Sequence, residues 1–214
     1  MTLAEQTRKA TDDFIASQDV SVQEVIVNAF KDLMSSNSGE LALNEGDMAA
    51  EFLLQNAKDE PIKLSSLLAQ GPVLLSFYRG GWCPFCNLEF KALHNILPQI
   101  KSHGAQLIGV SPELPDESMK TAERHQLQFE VLSDVCNKVA WQYGLVMDVH
   151  PELRDYYLQW GFNLPELNGD DSFELPIPAT YIIGTDGIIH SAYINKDYTK
   201  RMEPDDILKA LQTL

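Results

Sequence analysis

Apolar residues change their spacing several times along this chain, and each change marks an element. Val22, Val25, Ile26, Ala29, Phe30, Leu33 and Met34 recur at i, i+3, i+4, i+7 and i+8, the stripe of an amphipathic helix. Ser21-Val22-Gln23-Glu24 has the form of a capping box at its start. A second helix, with Leu3, Ala10, Phe14 and Ile15 inward, precedes it, and Ser35-Ser36-Asn37-Ser38-Gly39 reads as a linker. Residues 1–38 are therefore expected to form an N-terminal helical extension of a domain spanning 46–214. The stripe either packs on that domain's own surface or forms a homodimer interface.

From Gly46 onward, short apolar runs alternate with helical patterns. Phe52-Leu53-Leu54 and Ile62-Lys63-Leu64 predict brief strands, Ser65 to Leu68 a short helix, and Val73 to Tyr78 a strand apolar on both faces. Leu88, Leu93, Ile96, Leu97 and Ile100 then follow helical spacing, with a kink expected at Pro98. Strands are predicted at Gln106–Ser111 and Phe129–Leu132, and helices at Glu117–His125 and Asn137–Tyr143. Residues 145–176, rich in aromatics and turn formers, read as a helical insertion with a loop. Thr180–Ile183, the turn Thr185-Asp186-Gly187 and Ile188–Tyr193 predict a hairpin, and Pro204–Thr213 a final helix. The alternation predicts an α/β fold with a mixed, largely parallel central sheet flanked by helices.

The candidate chemistry lies at Arg79-Gly80-Gly81-Trp82-Cys83-Pro84-Phe85-Cys86, where strand gives way to helix. A C-x-x-C pair at a helix start puts its first sulfur near unpaired N–H groups and the positive end of the dipole, and both favour the thiolate. Pro84 fits the first helical position. Arg79 is either a surface charge or a thiolate stabiliser, and Trp82 joins it in a rim around the sulfurs. No second C-x-x-C exists, and His94 and His103 follow at no zinc spacing, so neither a metal nor any other cofactor is expected. Cys136 is expected to be a small buried residue, or else a distant resolving thiol. His125, His150 and His190 are taken as structural or surface groups.

Charge narrows the partners. A net charge of −15 excludes a basic face for nucleic acid or an anionic membrane, and no apolar run approaches the roughly 20 residues of a membrane span. The first residues carry no secretory pattern, and three cysteines, two of them paired in C-x-x-C, suit a reducing, cytoplasmic setting.

The order of elements resembles the thioredoxin fold, and particular motifs resemble the peroxiredoxin superfamily of alkyl hydroperoxide reductases and thiol-specific antioxidant proteins, notably its C-x-x-C variants. Gly46-Asp47-Met48-Ala49-Ala50-Glu51-Phe52 is similar to that family's opening motif, with Ala50 in place of a proline, and Leu132-Ser133-Asp134 with Tyr143-Gly144 to a later one. Leu175-Pro176-Ile177-Pro178-Ala179-Thr180-Tyr181 and the stretch from Asp197 to Pro204 resemble the peroxiredoxin-like branch itself. The departures lie at the site. Aligned through Phe77-Tyr78, the family's attacking cysteine falls on Cys86, its threonine on Cys83, its proline on Arg79, and its late arginine on Pro178.

The resemblance implies a thiol-dependent antioxidant oxidoreductase that reduces hydroperoxides through a Cys83/Cys86 dithiol–disulfide cycle, recharged by a thioredoxin- or glutathione-type reductant. Stabilisation of the leaving oxygen would come from Arg79, Arg201 or helix N–H groups, and Tyr198 and Arg201 belong either to a solvated loop or to the pocket. Pro178 resembles the cis-proline that faces the dithiol in thioredoxins, which keeps a disulfide reductase as the alternative. A non-enzymatic redox sensor or interaction protein is the second. Position and dipole favour Cys83 as nucleophile, whereas the family alignment favours Cys86.

Overall fold

A computed structural model describes all 214 residues. The apolar run becomes β3 (Val73–Phe77), buried along its whole length. Val73, Leu75 and Phe77 enter one core, while Leu74 and the following Tyr78 enter a second on the opposite face. A strand with no polar face belongs in the middle of a sheet covered on both sides. Accordingly β3 pairs in parallel with β4 (Gln106–Ser111) and antiparallel with β8 (Ala179–Ile183).

With β1 (Leu53–Asn56), β2 (Pro61–Lys63), β5 (Glu130–Ser133) and β9 (Ile189–Ile194), these form one seven-stranded sheet in the order β2-β1-β5-β4-β3-β8-β9. Its parallel part is the centre, β3-β4-β5, because there the crossovers are helices, α4 (Pro84–Ser102) and α5 (Pro115–Arg124). The hairpins β1-β2 and β8-β9 add the antiparallel edges. Short α3 (Leu64–Leu68) follows β2, and α9 (Pro204–Leu211) ends the chain against α4. This is the mixed α/β arrangement of a thioredoxin-like fold. No helix is long and apolar enough to cross a membrane.

The N-terminal helices are α1 (Leu3–Ala16) and α2 (Val20–Ser35). A capping box does occur, but at Thr2 and Glu5 of α1; α2 starts a residue before Ser21, on Asp19, so Ser21 lies inside the first turn and cannot cap it. The Glu203 carboxylate accepts the open N–H groups of Leu3 and Ala4, at 3.1 and 2.7 Å, and ties α1 to the loop before α9. α1 packs on α4, and α2 packs on α7 (Pro151–Gln159), with Ala29 buried and Val25, Ile26 and Leu33 against the larger core.

Three further expectations are corrected. Residues 145–176 contain, besides α7 and α8 (Leu164–Asn168), a two-stranded antiparallel sheet of β6 (Val146–Asp148) and β7 (Glu174–Pro176), strands too short to show alternation. Cys136 is exposed, because it lies at φ +64° in the turn between β5 and α6 (Lys138–Gln142), a turn fixed by the Asp134 carboxylate accepting the N–H groups of Val139 and Ala140. No peptide bond is cis, so Pro178 does not form the thioredoxin-type feature; it lies buried between β7 and β8, where Ile177 donates to the Leu145 carbonyl and Ala179 enters the ladder beside Phe77.

Phe90 of α4 is fully buried, with its ring 4.6 Å from Tyr78 and 5.5 Å from Phe129. Phe90→Ala is expected to cost about 3–5 kcal/mol, read as a lower urea midpoint at unchanged slope; a loss below 1 kcal/mol would mean that α4 is not seated as described.

Candidate active site

The chain leaves β3 at Phe77, and the loop from Tyr78 to Trp82 turns it into α4 with Cys83 as the N-cap and Pro84 at the first helical position. Two glycines are required there. Gly80 has φ +146°, and a Cβ on Gly81 would lie 1.9 Å from the Thr121 hydroxyl. The tight turn brings Cys83 and Cys86 together inside the protein, both at 0% exposure.

Two guanidinium groups, also buried, face the sulfurs. Arg79 is 3% exposed; its Nη1 is 3.8 Å from Cys83 Sγ, and its Nη2 donates to the Tyr157 hydroxyl. The group lies over the Tyr198 ring at 4.2 Å and near Trp82 and Tyr157 at 5.0 and 5.8 Å. Aromatic faces thus hold a cation that has no carboxylate partner. Arg201, 5% exposed, donates from Nη2 to Cys86 Sγ at 3.3 Å and from Nε to the Glu89 carboxylate, and from Nη1 to the carbonyls of Tyr198 and Lys200. Arg201 is therefore a pocket residue and not a solvated one, and Arg79 is not a surface charge.

Burial alone would push both thiols up. For Cys83 that effect is outweighed by the hydrogen bond from the Cys86 thiol and by Arg79 and Arg201, which together bring it down to about 5. Cys86 moves well above the ordinary range, through burial first and then through its bond to Cys83, with the Glu89 carboxylate adding to the rise. The pair therefore shares one proton, held on Cys86, and the thiolate is at the helix N-terminus. Both Arg79 and Arg201 stay protonated against their burial.

Of the residues singled out from sequence, Cys83, Cys86, Arg79, Trp82 and Arg201 converge here, and Tyr198 joins them; Pro178, buried between β7 and β8, makes no hydrogen bond to either sulfur. Sequence reasoning missed Glu89, Tyr157 and Glu113. Glu89 follows Cys86 by three residues, on the same face of α4 as Phe85, Phe90 and Leu93, and a carboxylate inside an apolar stripe is the signal that could have found it.

The model of the AhpC/TSA family matches residues 46–192. The chain belongs to that family. Similar relatives of this AhpC/TSA chain include chloroplastic peroxiredoxin Q of Sedum lineare, 24% identical over 181 residues covering 85% of this chain and 84% of that one. Peroxiredoxin Bcp of Escherichia coli (strain K12) is 30% identical over 103 residues, 48% of this chain and 65% of its own. Among solved structures, peroxidoxin BcpB from Mycobacterium tuberculosis superposes with a TM-score of 0.63 at 23% identity, covering 80% of this chain and 98% of that one, which places the AhpC/TSA chain in the peroxiredoxin-like version of the thioredoxin fold. The match begins after α2 and ends before Tyr198 and Arg201, so part of the site lies beyond it.

Glu113 supports this AhpC/TSA loop from behind. It is 2% exposed, and its Oε2 accepts the Gly81 N–H at 3.0 Å. Burial raises its pKa to about 7, against the lowering effect of the Gly81 bond. Between about 4.5 and 7 the folded carboxyl then holds a proton that the unfolded one has lost, so stability falls as pH rises through that window, by about 3 kcal/mol in total. Cys83, whose folded pKa lies below that of an unfolded thiol, contributes in the opposite sense over this range, so the test is a difference: between pH 5 and pH 8 the wild type should lose about 2–3 kcal/mol of urea stability relative to Glu113→Gln, and equal pH dependence in the two would show that Glu113 ionises normally.

Proposed function

We propose that this AhpC/TSA chain is a thiol-dependent peroxidase in which Cys83 attacks and Cys86 resolves. The observation that carries the reading is a buried pair of sulfurs faced by two buried guanidinium groups, Arg79 3.8 Å from Cys83 Sγ and Arg201 3.3 Å from Cys86 Sγ, an arrangement that favours the Cys83 thiolate. Cys83 thiolate attacks the distal oxygen of a hydroperoxide, the O–O bond breaks, and the alkoxide leaves and takes up a proton. Arg79 and Arg201 stabilise the charge as it moves from sulfur to oxygen. The Cys86 thiol then attacks the sulfenic acid, water leaves, and a Cys83–Cys86 disulfide forms. The balance is dithiol plus ROOH to disulfide plus ROH plus water.

The complete burial of both sulfurs favours this reading over disulfide exchange, since a peroxide is small and a protein disulfide needs an accessible thiolate. Peroxiredoxins draw on thioredoxin-type reductants, and such a thiol, or one of the glutathione type, would restore the dithiol here. A reducing compartment such as the cytoplasm fits a dithiol that must be recharged each turnover. The outer face of α2 presents Val20, Val27 and Met34 to solvent at seven-residue spacing, which supports a homodimer through the N-terminal helices; Val27→Asp would then lower the sedimentation mass, and an unchanged monomer would reject it.

At pH 7 a thiol of pKa 8.5 is only ~3% ionised, so near-complete ionisation gives Cys83 about a 30-fold advantage over free cysteine, partly offset by its lower nucleophilicity. In stopped-flow oxidation by peroxide, the rate should be flat above pH 6 and fall as pH drops through about 5, where Cys83 is protonated. Cys83→Ser should abolish the fast phase, and Cys86→Ser should react once and remain as a sulfenic acid trapped by dimedone. Oxidation of the wild type no faster than that of free cysteine removes the peroxidase reading; a fast phase surviving in Cys83→Ser reverses the two cysteines.

A further inference from the structure

Between α2 and α7 runs a crevice of about 200 Å³ that ends on Arg79, Tyr157 and Tyr198. Its walls are mostly apolar, with Ser36 and Ser38 the hydroxyl-bearing exceptions. Ala29, Phe30 and Leu33 of α2 form one, and Met147, Val149 and Leu153, from β6 to α7, form the other. Arg79 is the one cation at its base, one contact away from Cys83 Sγ. The Arg79 Nε, buried with the rest of that side chain, has no hydrogen-bond partner. A donor left open beside an apolar cavity marks a place for an acceptor to arrive.

The mouth has a different character. Asp32 of α2 lies 3.3 Å from His150, the N-cap of α7, and Asp148 is exposed beside them. On a chain of net charge −15, two carboxylates at an entrance repel anions. A water needs only ~10–15 Å³ of such space, so hydrogen peroxide would leave the crevice almost empty. A compact apolar body with an oxygen-rich end would fill it, its oxygens at Arg79 and its carbon skeleton against α2.

We propose that this crevice is the substrate channel, built for an uncharged organic hydroperoxide, and that α2 sets that preference through Phe30 and Leu33. The proposal rests on the peroxidase reading and adds a specificity role to a helix that lies outside the AhpC/TSA match. Entry to Cys83 requires Tyr157 and Tyr198 to yield their contacts with Arg79. The reaction is the one already balanced, with ROH returning along the same walls.

The test compares kcat/KM for cumene hydroperoxide with kcat/KM for hydrogen peroxide. Leu33→Trp, which fills the channel, should lower that ratio about tenfold, whereas Glu24→Trp, on the exposed face of the same helix, should leave it unchanged. Leu33→Ala guards against misfolding in the larger variant and should leave the ratio equal or higher. A ring-carboxylated cumene hydroperoxide should react more slowly than the neutral parent, with the gap narrowing at high salt. A ratio indifferent to Leu33→Trp, or one lowered equally by Glu24→Trp, overturns the proposal. If the wild type reduces neither peroxide, the peroxidase reading has failed separately. The crevice is then judged by binding of 2-phenyl-2-propanol, the unreactive alcohol, which the wild type should bind and Leu33→Trp should not; absence of binding to the wild type overturns the channel as well.

Discussion

Holding a thiolate where water cannot reach it is the constraint on which the rest of this structure depends. An isolated buried ion costs several kcal/mol, and each counter-ion brought in to offset it is itself a buried ion needing partners. The protein closes this regress within one shell. Cys83 and Glu89 supply two negative charges, Arg79 and Arg201 two positive ones, and of the remaining donors all but the Arg79 Nε end on the Tyr157 hydroxyl and the carbonyls of Tyr198 and Lys200. Among these four groups the formal sum is zero. Segments far apart in sequence, from the β3–α4 loop, α7 and the loop before α9, therefore have to meet at one point.

That requirement gives physical meaning to pieces of chain that otherwise look like additions. The stretch from 145 to 176 supplies Tyr157, and with it one wall of the cage around Arg79; Trp82 bridges Tyr157 and Phe162, at 5.6 and 5.1 Å between rings. The loop before α9 supplies Tyr198 and Arg201, and Glu203 of the same loop anchors α1. Position 178, where the resemblance led to the expectation of an arginine, is a proline here, and a guanidinium reaches Cys86 Sγ from position 201.

Legibility from sequence followed the range of the forces involved. β3, the dithiol and the start of α4 were readable because a continuous apolar run, a C-x-x-C and a proline at the first helical position are all local signals. Strands of three residues, such as β6 and β7, carry no alternation and are defined only by pairing Val146 with Pro176 across the chain. Glu89 escaped because periodicity assigns charged residues to solvent, and only the distant Arg201 makes its burial tolerable. The same long-range dependence hid the burial of Arg79, whereas Cys136 is exposed through a local turn at positive φ that carries no glycine to announce it. Packing of α2 on the domain was one of two sequence readings, and Ala29, small enough to approach α7 closely, belongs to its buried face.

Charge balance also bears on the second half of the proposed cycle. When the Cys83–Cys86 disulfide forms, the thiolate disappears while Arg79, Arg201 and Glu89 remain, so the groups around the sulfurs carry one more positive than negative charge. Arg201 keeps its carboxylate. Arg79 keeps only the Tyr157 hydroxyl and three aromatic faces, worth about 0.5–2 kcal/mol each against a desolvation cost of several. Oxidation thus removes the partner that made the burial of Arg79 favourable, whereas the contacts of Arg201 with Glu89 and with the carbonyls of Tyr198 and Lys200 involve no cysteine. In the proposed cycle the charge lost on oxidation is therefore lost beside Tyr157, Tyr198 and Trp82, the three rings around Arg79.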